Sequence, residues 1–219
     1  MIVKKDDWWY PKNDSFLETD KNFSCYEPLE QSLQHVKKFN NAIDVGAWIG
    51  DSTEYLCRYF DNVIAFEPQP VCYQALSQNI ADKNIINCIT YNIGLSNKNG
   101  TSTLYNTHTS FQGWITEKTQ FKRDTPEKSF SVDIKTLDSY NFKNIDFIKI
   151  DVDSHESWLL QGAKTFFTNN NPVICIECKS SKHKDRQPVS MPSIESILDN
   201  YGYTLLKKLS RIDYLYIRK

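Results

Sequence analysis

Two glycines and one carboxylate set the first chemical expectation. The stretch Asn41-Ala42-Ile43-Asp44-Val45-Gly46-Ala47-Trp48-Ile49-Gly50-Asp51-Ser52 passes from a short apolar strand through a glycine turn into a polar helix start. A second apolar strand, Asn62 to Phe66, runs into Glu67, 17 residues after Gly50. Glycine lets a backbone approach a ligand closely, and free N–H groups at a helix start offer donors to it. In nucleotide-binding α/β sheets an acid at the end of the second strand accepts hydrogen bonds from ribose hydroxyls, which is the chemistry Glu67 suits. The turn argues against two nucleotide classes. Gly46-Ala47-Trp48-Ile49-Gly50 has no closely spaced glycine pair for a pyrophosphate, and no Gly-Lys-Ser/Thr follows for a triphosphate.

A second group of chemically capable residues lies in Ile145 to Gly162. An apolar strand ends near Asp151, and a helix is expected from about Ser154 through Leu159, Leu160, Ala163, Phe166 and Phe167, with Ser154 as its N-cap. Ligands of open α/β sheets bind beyond the carboxyl ends of the strands, which places Asp151, Asp153 and His155 where chemistry occurs. Helix capping is the competing explanation for Asp153 and Ser154. A fifth strand, Pro172 to Glu177, ends in another carboxylate. The basic residues Lys179, Lys182, His183, Lys184 and Arg186 follow it, either as a solvated face or as a site for a phosphate or uronate.

The elements that must hold these groups alternate. Strand Asn41–Val45, helix Tyr55–Phe60, strand Asn62–Phe66, helix Val71–Ala81 and a third strand near Asn87–Ile93 make a βαβαβ order, hence a parallel sheet with helices on both faces. Asn97 to Ser131 loses the helical period and reads as a hairpin and a loop, in which His108, Phe111, Gln112 and Trp114 could line an entrance. A helix near Ser193–Tyr201 and strands Thr204–Leu209 and Tyr214–Arg218 complete the sheet. Residues 1–40 supply an aromatic-rich lead (Trp8, Trp9, Tyr10, Phe16, Phe23, Tyr26) and a helix after Pro28, packed onto one domain spanning 41–219. The aromatics read as a sugar platform or, more simply, as packing.

Composition limits the alternatives. A chain of 219 residues buries one good core. With 26 Lys plus Arg against 27 Asp plus Glu, it has no global field to capture nucleic acid or an anionic membrane. No run approaches a signal peptide or a membrane span, so a soluble, cytoplasmic protein is expected. The six cysteines sit among apolar neighbours as reduced thiols. Cys175 and Cys178 lie three apart on a strand, on opposite faces, which does not suit a metal.

The pattern D-x-G-x-x-x-G followed by Glu67-Pro68 resembles the cofactor site of a class I methyltransferase that uses S-adenosylmethionine. Asp44-Val45-Gly46-Ala47, Glu67-Pro68, Thr136-Leu137-Asp138 and Phe147-Ile148-Lys149-Ile150-Asp151-Val152, with Glu156, Leu160 and Gly162 behind them, together resemble the FkbM family of methyltransferases over roughly residues 42 to 178. The resemblance implies a Rossmann-like fold with a mostly parallel seven-stranded sheet and a C-terminal antiparallel hairpin. It also implies S-adenosylmethionine as donor and a hydroxyl acceptor on a sugar, glycan or related small molecule. Cofactor-binding residues would be Asp44, Gly46, Ala47, Trp48, Gly50, Asp51, Ser52, Glu67 and Pro68, with Asn92 and Gly94 near the adenine.

For the acceptor hydroxyl, His155 is the first candidate base, because an imidazole at a helix N-terminus is disfavoured as a cation; Asp151 would be its partner. The alternative is Mg²⁺ held by Asp151, Asp153 and Glu177. The chain departs from the family pattern in three places: Trp48 where Asn is usual, Asp153-Ser154 where Glu-Gly is usual, and His155 in place of a small residue. An amino-group methyltransferase would need Asn/Asp-Pro-Pro-aromatic after the fourth strand, and a short-chain dehydrogenase a mid-chain Tyr-x-x-x-Lys; neither is present. A non-catalytic nucleotide-binding module on the same scaffold is the other reading, and Trp48 is the feature that favours it.

Overall fold

Strand β3 (Asn41–Val45) is the axis of the molecule, paired in parallel with β4 (Asn62–Phe66) on one side and β10 (Ile145–Ile150) on the other. The computed structural model describes residues 1–12, 14, 17, 26–107, 110–116, 128–178 and 191–219, with backbone alone at 106–107, 110–116, 128 and 191–192. Phe16, Phe23, Cys25, His108, the side chains of Phe111, Gln112 and Trp114, and the basic residues from Lys179 to Arg186 lie outside what is described.

Outward from the axis, β5 (Cys88–Tyr91) follows β4. On the other side come β11 (Val173–Glu177), β13 (Asp213–Arg218) and β12 (Tyr203–Lys208), giving the seven-strand order β5-β4-β3-β10-β11-β13-β12. Pairing is parallel from β5 to β11, and β13 runs antiparallel to both its neighbours. The strands are apolar on both faces because helices cover both. On one face Ile43, Val45, Ile148, Ile150, Ile174 and Ile176 pack under α4 (Glu156–Gln161), α5 (Lys164–Asn169) and α6 (Met191–Asn200). On the other, Ala42, Val63, Phe147, Val173 and Cys175 meet α1 (Glu27–Leu33) and α2 (Asp51–Cys57). Cys175 and Cys178 fall in these two separate cores, as their spacing on the strand requires.

Three sequence expectations change. The expected single helix over Ser154–Phe167 is broken, because Gly162 lies against the backbone of Ser96: a Cβ there would stand 2.1 Å from Ser96 O. The second piece, α5, starts with its first-turn N–H groups on the Asp138 carboxylate, from Thr165 at 3.0 Å and Phe166 at 2.7 Å. Capping from a distant loop therefore gives the Thr136-Leu137-Asp138 motif a structural role. Next, the third strand stops at Tyr91, and the chain leaves the main sheet. It forms a second one, β6-β9-β7-β8, from β6 (Gly94–Leu95), β7 (Gly100–Thr107), β8 (Ser110–Thr116) and β9 (Lys128–Lys135). Leu104, Val132 and Ile134 give this sheet its own small core.

Of the aromatic lead, finally, Trp8, Trp9 and Tyr10 lie in an antiparallel hairpin, β1 (Ile2–Lys5) with β2 (Trp8–Pro11). It packs against α3 (Pro70–Asp82) and the glycine turn rather than on the sheet. Among the described residues no helix is long and apolar enough to cross a membrane.

The Gly162 contact makes a direct prediction. Gly162→Ala puts a methyl group into a backbone carbonyl that cannot rotate away, so it should destabilise the protein by about 1–3 kcal/mol, the usual overpacking range. Urea unfolding with an unchanged m-value would measure it.

Candidate active site

The site is built where β3, β4 and β10 end together. Asp44 is 0% exposed and pairs in register with Lys149 on β10. Its Oδ2 accepts hydrogen bonds from Ser52 Oγ (2.8 Å) and Thr53 Oγ1 (2.7 Å) at the start of α2, and its Oδ1 faces Lys149 Nζ at 3.3 Å. Asp44 and Ser52, two of the expected cofactor residues, thus bond to each other and fix the helix to the strand.

Gly46 is the next constraint. Its φ is +81°, and a Cβ there would meet Asp151 O at 1.8 Å, so the turn after β3 crosses the end of β10 at a distance only glycine permits. Gly50, at φ +95°, starts α2, and a Cβ there would lie 2.6 Å from Leu76 Cδ1. Both glycines are therefore required by protein contacts. Before the helix start the turn's own donors are taken up by the protein: Gly46 N and Ala47 N both donate to Phe66 O at 3.0 Å, and Trp48 N donates to Glu67 Oε2 at 2.8 Å.

Glu67 is the focus of this wiring. Trp48 N holds one carboxylate oxygen and Gln69 N holds the other, at 2.8 Å. Each oxygen keeps a second acceptor position, so the group is oriented without being saturated. Burial raises the Glu67 carboxyl to about 8 against the pull of those two N–H groups, with Asp153 and Asp44 adding to the rise. Asn92 braces the same corner just beyond β5, its Nδ2 donating to Glu67 O (2.8 Å) and Pro68 O (3.0 Å). Gly94 lies beyond it, buried at the start of β6.

On the β10 side, Asp151 is 31% exposed at its side chain, with Oδ2 3.8 Å from Lys149 Nζ. Lys149 lies among Asp44, Asp151, Asp51 and Glu177; although burial works against its charge, these carboxylates hold its pKa well above the usual lysine value. Burial lifts the Asp51 carboxyl to about 6 against Lys149. Lys149 was not singled out from sequence, yet a lone cation inside the apolar run Ile145-Asp146-Phe147-Ile148-Lys149-Ile150 was the available signal. Among the described residues no three or more His, Cys, Asp or Glu are grouped to hold a metal, and the expected set Asp151, Asp153 and Glu177 includes two that already face the Lys149 ammonium.

The turn into α4 also differs from expectation. Asp153 (φ +47°) and Ser154 (φ +78°) are both left-handed, so Ser154 is not the helix cap; His155 takes that position. The His155 ring is buried, with Nε2 3.0 Å from the buried Ser96 Oγ and the ring stacked on Trp158. It ties this turn to the end of β6. Glu156, 1% exposed, reaches back so that Oε1 accepts from Ser154 N at 3.1 Å, and burial, with Asp151 and Asp153 nearby, lifts its carboxyl to about 7. Among the described residues, Glu156 Oε2 and Ser154 Oγ find no hydrogen-bond partner, although both are buried.

A seven-stranded sheet in this order, with one antiparallel strand, a glycine turn after its central strand and an acid after the next, defines a class I methyltransferase fold. The profile of the methyltransferase FkbM domain matches residues 44–205, and the chain belongs to that family. Among solved structures, methyltransferase FkbM from Methylobacillus flagellatus KT is similar, with 20% identity and a TM-score of 0.52 over 81% of this chain and 43% of that one. This chain thus spans less than half the length of that relative. A ribosomal protein L11 methylase from Lactobacillus delbrueckii subsp. bulgaricus (12% identity, TM-score 0.55, 92% and 81% covered) is also similar. So is a SAM-dependent methyltransferase from Aquifex aeolicus (15%, 0.51, 98% of each chain). At these identities the likeness is one of fold. No curated protein sequence matches the chain.

Ser154 supplies a test of the local reading. Ser154→Gly removes left-handed strain of about 1–2 kcal/mol and an unsatisfied buried hydroxyl of about 1–3 kcal/mol. It adds about 0.4–1 kcal/mol of unfolded-state entropy. The balance favours the variant, which should unfold at a higher denaturant midpoint than wild type.

Proposed function

We propose that the protein transfers a methyl group from S-adenosylmethionine to a hydroxyl of a sugar, glycan or related small molecule. The observation that carries the donor half is Glu67, a buried carboxylate held by Trp48 N and Gln69 N at the end of the strand beside the glycine turn, with an open acceptor position on each oxygen. That geometry fits the two hydroxyls of a ribose. Asp51, Asp151 and Asp153 lie about the turn and Lys149, and Glu67 adds a carboxylate once it ionises, which suits a cationic ligand. Bound there, the cofactor supplies a methyl group made electrophilic by its sulfonium.

On the acceptor side, Asp151 is the residue we assign to the hydroxyl, since its carboxylate is partly exposed at the end of β10 and Lys149 holds it in place. It would accept the hydroxyl proton as the new C–O bond forms and the methyl–sulfur bond breaks, the sulfur leaving with its electron pair as the neutral thioether S-adenosylhomocysteine, while the cradle keeps the reacting atoms in line and water out. His155 acts as a positioning residue through Ser96. The hydroxyl assignment draws on the family and on the absence of the Pro-Pro amine motif after β10.

Two measurements test this reading. The carboxyl of Glu67 has a raised pKa in the free protein, and a ribose and a sulfonium both favour its ionised form. Protonation therefore competes with the donor, so S-adenosylmethionine affinity should fall about tenfold or more by calorimetry from pH 8 to pH 5.5. S-adenosylhomocysteine, without the positive sulfur, should show a smaller change. Glu67→Ala should weaken donor binding by about 1–3 kcal/mol, and unchanged affinity would reject the assignment.

For the acceptor, labelled donor incubated with a fractionated glycan extract should place label on small-molecule or glycan fractions. Label found only on protein or nucleic acid would reject that half. Absence of any methyl release from donor that binds well would favour the non-catalytic reading.

A further inference from the structure

The hairpin β1–β2 precedes the 44–205 match to the family, yet it is wired into the cofactor turn. Asn79 of α3, 1% exposed, is the junction. Its Oδ1 accepts from Trp9 N at 2.7 Å, and its Nδ2 donates to Trp9 O at 3.0 Å and to Ile49 O at 2.9 Å, inside the glycine turn. Asp82, one turn further along α3, receives Trp9 Nε1 (2.8 Å) and Lys4 Nζ (3.1 Å). Tyr10 then meets the edge of Trp48, with ring centroids 6.2 Å apart at 70°, in a cluster that includes Ile49 and Ala75.

Trp48 needs such support. Its φ is +50°, a left-handed conformation that a bulky residue adopts only when its surroundings impose it. Its N–H is one of the two groups that orient Glu67. A contact that holds the Trp48 ring therefore also holds the carboxylate. Resting on the donor reading given above, we infer that the N-terminal hairpin is a working part of the S-adenosylmethionine site: through Asn79 and Tyr10 it keeps Trp48 left-handed, and so keeps Glu67 aimed at the ribose. Tyr10 and Asn79 are positioning residues, since neither needs to touch the donor.

The test is a cycle of donor affinities measured by calorimetry on the full chain. Tyr10→Ala should weaken S-adenosylmethionine binding by about 3- to 10-fold, the size of one aromatic contact, while Tyr10→Phe, which keeps the ring, should bind like wild type. Trp48→Asn places at this position a residue that accepts the left-handed conformation without help. In that background Tyr10→Ala should cause no further loss. Equal weakening by Tyr10→Ala in both backgrounds, or wild-type affinity in the single variant, would overturn the inference and leave the donor reading standing. Wild-type protein that fails to bind S-adenosylmethionine at all would reject the donor reading and this inference with it. Were Trp48→Asn unable to fold, the contrast between Tyr10→Ala and Tyr10→Phe would still decide.

Discussion

The ion pair between Asp44 and Lys149 is the interaction on which the site depends. A carboxylate with no exposure would carry a large desolvation cost alone; here Lys149, Ser52 and Thr53 converge on its two oxygens and offset it. Those partners come from three elements. Lys149 fixes β10 against β3, and the two hydroxyls fix the start of α2, so one carboxylate sets the relative position of the parts that form the cradle. Such a pair adds little net stability over an apolar substitute, but its geometry leaves few alternative arrangements. The crossing of Gly46 over the Asp151 carbonyl follows from it, because two strands locked in register must pass at that distance.

This arrangement separates two kinds of residue that sequence groups together. Asp44, Gly46, Gly50 and Ser52 each answer to a protein contact that their motif position demands. Glu67 is different: two backbone N–H groups orient it, and each of its oxygens keeps a second acceptor position. Asp151 divides the roles within one residue: its carbonyl lies against the glycine turn, its N–H donates to Val45 O, and its partly exposed side chain faces Lys149.

The main sheet was legible because each strand is an apolar run closed by a polar or glycine residue, and because alternation with amphipathic helices admits few topologies. Glu67 was legible for the same reason, as an acid at a fixed distance. Elsewhere the determining contact is remote in sequence. The break between α4 and α5 depends on Ser96 and Asp138, neither of which lies in the helical pattern. Lys149 hid inside an apolar run, and its partner is a carboxylate 105 residues away in the chain. The packing of His155 onto Ser96 could not be read from its place at a helix start, which is equally the place of an open base. Aromatics at 8–10 showed that something packs there; that it is a hairpin on α3 depends on Asn79.

Two departures from the family pattern have one physical explanation. Trp48 stands where Asn is usual and Ser154 where Gly is usual, and both positions are left-handed. Asn and Gly are the residues that adopt this conformation at least strain, so the family's preference there reflects backbone geometry before any contact with a ligand. This chain keeps the geometry and changes the residue, and each change draws on a different support. Around Trp48 the support is built: Tyr10 and Ile49 pack with it, and Asn79 fastens the hairpin to the turn. Around Ser154 it is thinner, since Glu156 holds its N–H while the hydroxyl has no partner among the described residues. The cradle side is therefore compensated by an element outside the family match, whereas the acceptor side retains strain beside Asp151. On the function proposed above, strain retained beside Asp151 and left uncompensated is where the chain's own specificity is expected to reside.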